Sequence, residues 1–232
     1  MITLALDTSG DEGSVALVRD EPGGSEILGT ERISAGMRHG VELFPALERL
    51  LRGACVSPRE VGLVAVGTGP GSYTGLRVGI TAARAFAYAA GAELLGVPSC
   101  DAWAAATPPD ASQPARRLAV VLDARIRAVY LAIYDPAPGG WARRAGPDLC
   151  DPAIAASRIE PGAIVVGDGV AAYADAFAGR TASGASRAEA SHVALLALGR
   201  MARGEHDAIE AVVPLYLRRP EAEIKKEARS HG

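Results

Sequence analysis

The chain of 232 residues is 49% hydrophobic and 22% charged, which excludes a disordered polypeptide, and no apolar run reaches the ~18 to 20 residues of a membrane span. Its formal net charge of −3 excludes a strongly basic surface of the kind that holds nucleic acid or anionic membranes by releasing counterions. Cys55, Cys100 and Cys150 are odd in number, far apart and without a C-x-x-C pair. Neither a disulfide framework nor a zinc knuckle is therefore expected, and with no leader pattern at the start a reducing cytoplasm is.

The first expected element is a strand, Ile2 to Asp7, which passes through the polar turn Thr8 to Gly13 into a second strand, Ser14 to Arg19. A third strand, near Glu26 to Ser34, follows the Pro22-Gly23-Gly24 turn. Val41 to Arg52 is an amphipathic helix: Leu43, Leu47, Leu50 and Ala54 form one stripe, with Phe44 and Leu51 beside it and Pro45 tolerated near its start. Val61 to Val66 reads as a strand, then comes a glycine-rich loop to Gly75, a helix from about Leu76 to Ala90, and a strand Glu93 to Val97. Strands followed by helices imply an α/β layered domain.

The polar, proline-containing stretch Thr107 to Pro114 marks a boundary, giving units 1–106 and 107–232. The second opens as the first does. Leu4-Ala5-Leu6-Asp7 leads through a turn into Val15-Ala16-Leu17, and Val120-Val121-Leu122-Asp123 leads through Ala124 to Arg127 into Ala128-Val129-Tyr130-Leu131. Two hairpins that each begin with a buried strand ending in Asp suggest a duplicated domain. Further elements are a strand at Ile164 to Gly167, an Ala-rich helix Val170 to Ala178 and a helix from about His192 to Arg203. The last helix and tail could pack back on the first unit. Arg218 to Arg229 is locally basic and reads first as a solvated tail.

The densest special cluster is Gly67-Thr68-Gly69-Pro70-Gly71-Ser72-Tyr73-Thr74-Gly75-Leu76-Arg77, between a strand and a helix. Such a loop can hold an anion, because glycines admit the backbone closely and a helix N-terminus offers unpaired N–H groups. It can equally be a tight strand-to-helix connection. It is not a Walker A loop, having no lysine, nor a G-x-G-x-x-G turn. Asp7 and Asp123 could be the metal-phosphate carboxylates of an actin-like ATPase, or could cap their own turns. Ser72 and His39 are the nearest nucleophile and base by type, yet G-S-Y lacks the G-x-S-x-G elbow and the four histidines have no paired spacing. His39 has Leu43 at i+4, so no two-imidazole metal site forms there.

From Thr81 to Ala90 the helix after the loop has Arg84 as its only charge, so it should be buried on more than one side. Small side chains permit close packing, and with the stripe on Val41 to Arg52 this points to a helix-pair interface with another chain. Its residues would be Leu43, Phe44, Leu47, Leu51, Arg77, Ala83, Phe86, Ala87 and Ala90. The competing reading is an Ala-rich helix in an Ala-rich protein: the chain has 46 alanines, and all basic residues but Lys225 and Lys226 are arginine.

Six segments, LALDTSGDEGSVAL, HGVELFPAL, GTGPGSYTGLRVGITAARAFA, LDARIRAVYLAIY, VVGDG and PLYLR, together resemble the TsaB (YeaZ) family from Ile2 to about Arg219. That resemblance implies an actin-like, Hsp70-like fold of two similar halves, each a mixed sheet with helices. It implies a non-catalytic scaffold in bacterial synthesis of threonylcarbamoyladenosine next to the tRNA anticodon. The partner would be TsaD, which carries the metal and transfers the group, joined by the ATPase TsaE, with a homodimer on the same face when alone. Contact with tRNA would be indirect or weak, and no cofactor or membrane is implied. Where TsaD-like proteins carry H-x-x-x-H this chain has His39-Gly40-Val41-Glu42-Leu43, and their glycine-rich nucleotide motif is thinned to Val166-Gly167-Asp168-Gly169. An ATP-dependent phosphotransferase or degenerate nucleotide-binding protein on the same fold remains the alternative, and a glycoprotease-like peptidase a remote one.

Overall fold

The computed structural model describes residues 1–34, 39–109, 112, 115–180 and 187–217, with the His39 side chain outside that set. The expected basic tail beyond 217 and part of the expected boundary stretch at 107–114 therefore lie outside the described residues. The chain runs β1 (Ile2–Asp7), β2 (Gly13–Glu21), β3 (Gly24–Ile33), α1 (His39–Gly53), β4 (Val61–Gly69), α2 (Tyr73–Ala90), β5 (Glu93–Pro98) and α3 (Ser99–Ala105). It continues through β6 (Leu118–Asp123), β7 (Val129–Ala137), β8 (Gly140–Cys150), α4 (Pro152–Arg158), β9 (Ile164–Val166), α5 (Asp168–Ala172) and α6 (Ala190–Ala202).

The strands form two sheets, ordered β3-β2-β1-β4-β5 and β8-β7-β6-β9. Both are built alike. In the first, β1 pairs antiparallel with β2 and parallel with β4; in the second, β6 pairs antiparallel with β7 and parallel with β9. The duplication expected from the two Asp-ended hairpins is thus present in the strand pairing.

Alternation along each strand decides which helix covers which face. Leu4, Leu6, Val15, Leu17, Val64 and Val66 face one way and meet α1 and α2. Ala5, Ala16, Val18, Leu63 and Ala65 face the other and meet α6, through Val193, Ala194 and Ala197. A helix late in the sequence therefore completes the first half. Ala190 N–H fastens its start to Ser14 Oγ at 2.8 Å. In the second half Leu118, Val120 and Leu122 pack with Cys100 and Ala104 of α3, while Val121, Val129 and Leu131 pack with Ala155 of α4 and Phe177. Helix α3 touches strands of both sheets, β4 and β5 on one side and β6 and β8 on the other, and so joins the halves.

Several boundaries differ from the sequence expectation. Helix α2 starts at Tyr73, not Leu76, because Ser72 Oγ accepts the Gly75 N–H at 3.2 Å and caps it, and Gly91 ends it in the left-handed region at φ 69°. The Ala-rich helix expected to reach Ala178 stops at Ala172. Tyr173 leaves helical geometry at φ −128° and ψ 47°, where its hydroxyl donates to Asp123 Oδ1 at 3.2 Å. Helix α4 is not among the elements expected from the sequence; it starts at Asp151-Pro152, an N-cap followed by proline at the first helical position, and Asp151 Oδ1 accepts the Ala153 N–H at 2.8 Å.

Candidate functional site: the glycine joint, the cleft and the α1–α2 face

The glycine-rich loop is filled by the chain's own backbone. It runs from the end of β4, where Gly67 abuts the Asp7 carboxylate and Gly69 N–H donates to Ser99 Oγ at 3.1 Å. Beyond Pro70 it closes on the β1–β2 turn. Ser72 N–H donates to the Ser9 carbonyl at 2.7 Å, and Thr8 Oγ1 donates to the Gly75 carbonyl at 2.7 Å. A methyl group at Gly71 would fall 2.3 Å from the Ser9 carbonyl oxygen, and one at Gly75 would fall 2.0 Å from that of Thr8. Both distances are far inside van der Waals contact, so only glycine fits. Of the two readings of this loop, the geometry supports the tight connection. Ser72 Oγ serves as the helix cap, which is not the arrangement of an activated nucleophile. Tyr73 and Thr74 project outward in the first turn of α2.

Asp7 and Asp123 likewise serve their own turns, each accepting the N–H two residues on at 2.8 Å, from Ser9 and from Arg125. They face each other across a cleft between the halves, lined by Asp7, Ser9, Glu12, Trp103, Asp168 and Arg187 among others, with a volume of about 30 Å³. That is an order of magnitude below the ~300 Å³ at which small-molecule pockets begin. Asp7 is buried there and Asp168 half-buried. Burial, with the Asp123 charge beside it, pushes the Asp168 carboxyl pKa up, while its Oδ1 accepts the Asp123 N–H at 2.9 Å. Among the described residues no cluster of histidine, cysteine and carboxylate side chains could hold a metal ion. Asp168 escaped the sequence reading as a wall of this cleft, although Val166-Gly167-Asp168-Gly169 echoes Val66-Gly67-Thr68-Gly69.

The expected partner-binding set divides in two. Leu43, Leu47, Leu51, Ala83 and Ala87 are buried in the protein's own core. Here the expectation needs correcting: these side chains form the inner stripe of each helix and cannot also form an outer surface. Phe44 and Arg77 are exposed, and Phe86 and Ala90 are half-buried. Two exposed apolar positions lie outside the expected set: Val41, which the sequence did not single out, and Tyr88, which with Phe86 was expected to be exposed on α2 unless covered. Exposure reaches 75% at Val41, 57% at Phe44 and 84% at Tyr88. On α2 the outer stripe is Thr74, Arg77, Thr81, Ala85 and Tyr88, the spacing of one helix face. Part of the cover expected from another chain is supplied by this one. Ile209 and Val212 pack against the α1–α2 core cluster, Arg84 Nη2 donates to the Glu210 carbonyl at 2.6 Å, and Leu215 N–H donates to the Thr68 carbonyl at 2.8 Å. Tyr216 then stacks on Tyr73 with ring centroids 4.9 Å apart, and Arg77 donates to the Tyr73 hydroxyl at 2.6 Å.

Residues 33–226 match the family model described as TsaD, tRNA N6-adenosine threonylcarbamoyltransferase. A protein of Mycobacterium tuberculosis is 33% identical over 222 residues, covering 94% of this chain and 92% of its own length. The tRNA threonylcarbamoyladenosine biosynthesis protein TsaB of Haemophilus influenzae is 29% identical over 227 residues, 93% of this chain and 92% of its length. The structure of YeaZ from Pseudomonas aeruginosa superposes with a TM-score of 0.76 at 28% identity, covering 93% of this chain and 99% of that one. These likenesses and the paired sheets give the α/β, actin-like fold of two similar halves expected above.

Proposed function

Since the chain belongs to the TsaB (YeaZ) family, within the group matched by the TsaD model, we propose that it is an accessory, non-catalytic subunit of tRNA threonylcarbamoyladenosine biosynthesis. It pairs with the TsaD transferase through the outer face of α1 and α2, helps recruit TsaE, and forms a homodimer on the same face when alone. It meets tRNA only through that assembly.

One observation carries this reading. Val41, Phe44 and Tyr88 stay exposed on helices whose inner stripes are already full, with small residues such as Ala85 between them. Large apolar side chains left outside a completed core mark a surface that another protein covers, and aromatic residues are the usual anchors there. The alternative reading, a phosphotransferase, lacks support from a glycine loop packed on the protein's own turn and a cleft of about 30 Å³. Among the described residues no helix is long and apolar enough to cross a membrane.

The test is co-elution with cognate TsaD on gel filtration, scored beside threonylcarbamoyl transfer to tRNA. Phe44→Asp and Tyr88→Asp each weaken pairing by about 30-fold or more, the ~2 kcal/mol of an interface anchor, and leave thermal melting near that of the parent. Leu47→Asp is not equivalent, because Leu47 is a core residue and its replacement unfolds the protein. Undiminished co-elution of both surface variants would move the contact elsewhere.

A further inference from the structure

The turn between β6 and β7 carries a conformation that turns do not adopt without reason. Arg125 has φ 68° and Arg127 has φ 55°, so two arginines within one turn lie in the left-handed region. For a residue with a side chain that costs roughly 1 to 2 kcal/mol. The turn is closed by Ala124 N–H to the Ala128 carbonyl at 3.0 Å, and Arg125 N–H is held by Asp123 Oδ1. Strained backbone persists where its surroundings fix it, and it clusters where a side chain must be aimed.

What the strain aims is the Arg125 side chain. Its guanidinium forms an ion pair with Asp11, in the β1–β2 turn of the other half, and the neighbours of the two residues, Gly10, Glu12 and Asp123, line the cleft. The Asp123 carboxylate stands 3.8 Å from its Nε, and the Asp168 charge also acts on it. Arg187, which lines the cleft, pairs with Glu12 at 2.7 Å. Helix α3 joins the sheets at the base of the cleft, with Trp103 in its wall. The layout is a hinge at one end and an ion pair at the other.

We infer that Arg125 is the bolt of an electrostatic latch: it fastens the hairpin turn of one half to the equivalent turn of the other and holds the cleft shut about the α3 hinge. Arg125 is 50% exposed and Asp11 57%. A pair so placed is weak and screened by salt, which suits a latch that opens reversibly.

The chain has two tryptophans, so a Trp141→Phe background leaves Trp103 as the sole reporter of the cleft. In that background acrylamide quenching of Trp103 is low in the latched protein. Arg125→Ala raises the open-to-closed ratio by up to about fivefold, the upper end for an exposed ion pair, and steepens the quenching slope. Asp11→Ala gives the same rise, and combining the two adds little further, as two halves of one interaction require. Raising salt opens the parent and leaves Arg125→Ala unchanged. Arg125→Gly separates aim from strain: it quenches like Arg125→Ala but melts higher, because glycine accepts φ 68° freely. Arg127→Gly melts higher with quenching unchanged. Quenching of folded Arg125→Ala and Arg125→Gly equal to the parent's, or additive effects of the Arg125 and Asp11 changes, would overturn the latch.

Discussion

The two halves share a strand-end design and put it to opposite uses. In each, a strand ends in an aspartate that caps the following turn, and a Val-Gly-x-Gly begins in or just at the end of the parallel neighbour: Val66-Gly67-Thr68-Gly69, within β4, and Val166-Gly167-Asp168-Gly169, running from β9 into α5. After the first copy the chain builds the 18-residue α2, whose Gly75 and Gly79 press on the Thr8 carbonyl and hydroxyl. After the second it builds the five-residue α5, which begins with Asp168 bonded to the Asp123 N–H. The frame sets where the chain bends, and what packs beyond the bend sets the role. The first copy has become a packing joint and the second a charged wall.

Closing each bend to any side chain breaks the comparison most severely. Gly167→Ala meets two obstacles, a φ of 117° and a methyl group 2.0 Å from the Val121 carbonyl oxygen. It should cost about 3 kcal/mol or more in denaturant melts, since backbone cannot yield as a side chain does. Gly75→Ala meets only the second, at 2.0 Å from the Thr8 carbonyl oxygen, and should cost about 2 to 3 kcal/mol. Gly139→Ala, at φ 80° with open space around it, calibrates the conformational part at roughly 1 kcal/mol. If Gly75→Ala costs no more than Gly139→Ala, the joint is looser than described.

A finer test removes one bond of the joint. Thr8→Val keeps the side-chain shape and deletes the 2.7 Å bond from Thr8 Oγ1 to the Gly75 carbonyl, which is buried and worth about 1 kcal/mol. The matching position after Asp123 is Ala124. Ala124→Thr should change stability by less than about 0.5 kcal/mol, because no long helix returns to meet it. An equal effect at both positions would erase the distinction between joint and wall.

Much of this was legible in the residues. Asp-ended hairpins, the glycine block and the stripes on α1 and α2 follow from local pattern, and their strand pairing followed suit. Three features depended on contacts between distant segments, which pattern does not encode. Leu47 and Phe44 look alike in sequence, and only the sheet beneath α1 decides that one is core and the other surface. The Thr81–Ala90 stretch, with Arg84 its only charge, called for cover on a second side, and residues 209–212 of the same chain supply part of it. Arg125 reads as one more charge in a turn until its φ and its partner Asp11 are known. The alternation of β8 was likewise weak, although Gly139-Gly140 before it is a hairpin signal.

A further small effect concerns the wall itself. Burial raises the Asp168 carboxyl above its ordinary pKa, with the Asp123 charge adding to the shift, while its hydrogen bond and Arg125 and Arg187 oppose it. A carboxyl raised on folding favours the proton-bound state. Its stabilising contribution is therefore fully present below the unfolded pKa of ~4 and is lost as pH rises through the higher folded value. At pH 7 the ionised group is a net burden. Asp168→Asn removes that burden and keeps an oxygen to accept the Asp123 N–H, so it should gain on the order of 0.5 kcal/mol at pH 7, with the two arginines already offsetting part of the charge. The advantage should shrink as pH falls toward ~4, where the parent carboxyl takes up its proton. Melts of both proteins across that range decide it. A variant less stable at pH 7, with a gap that closes on acidification, would mean that Arg125 and Arg187 outweigh burial and that the second copy is held together by its charge.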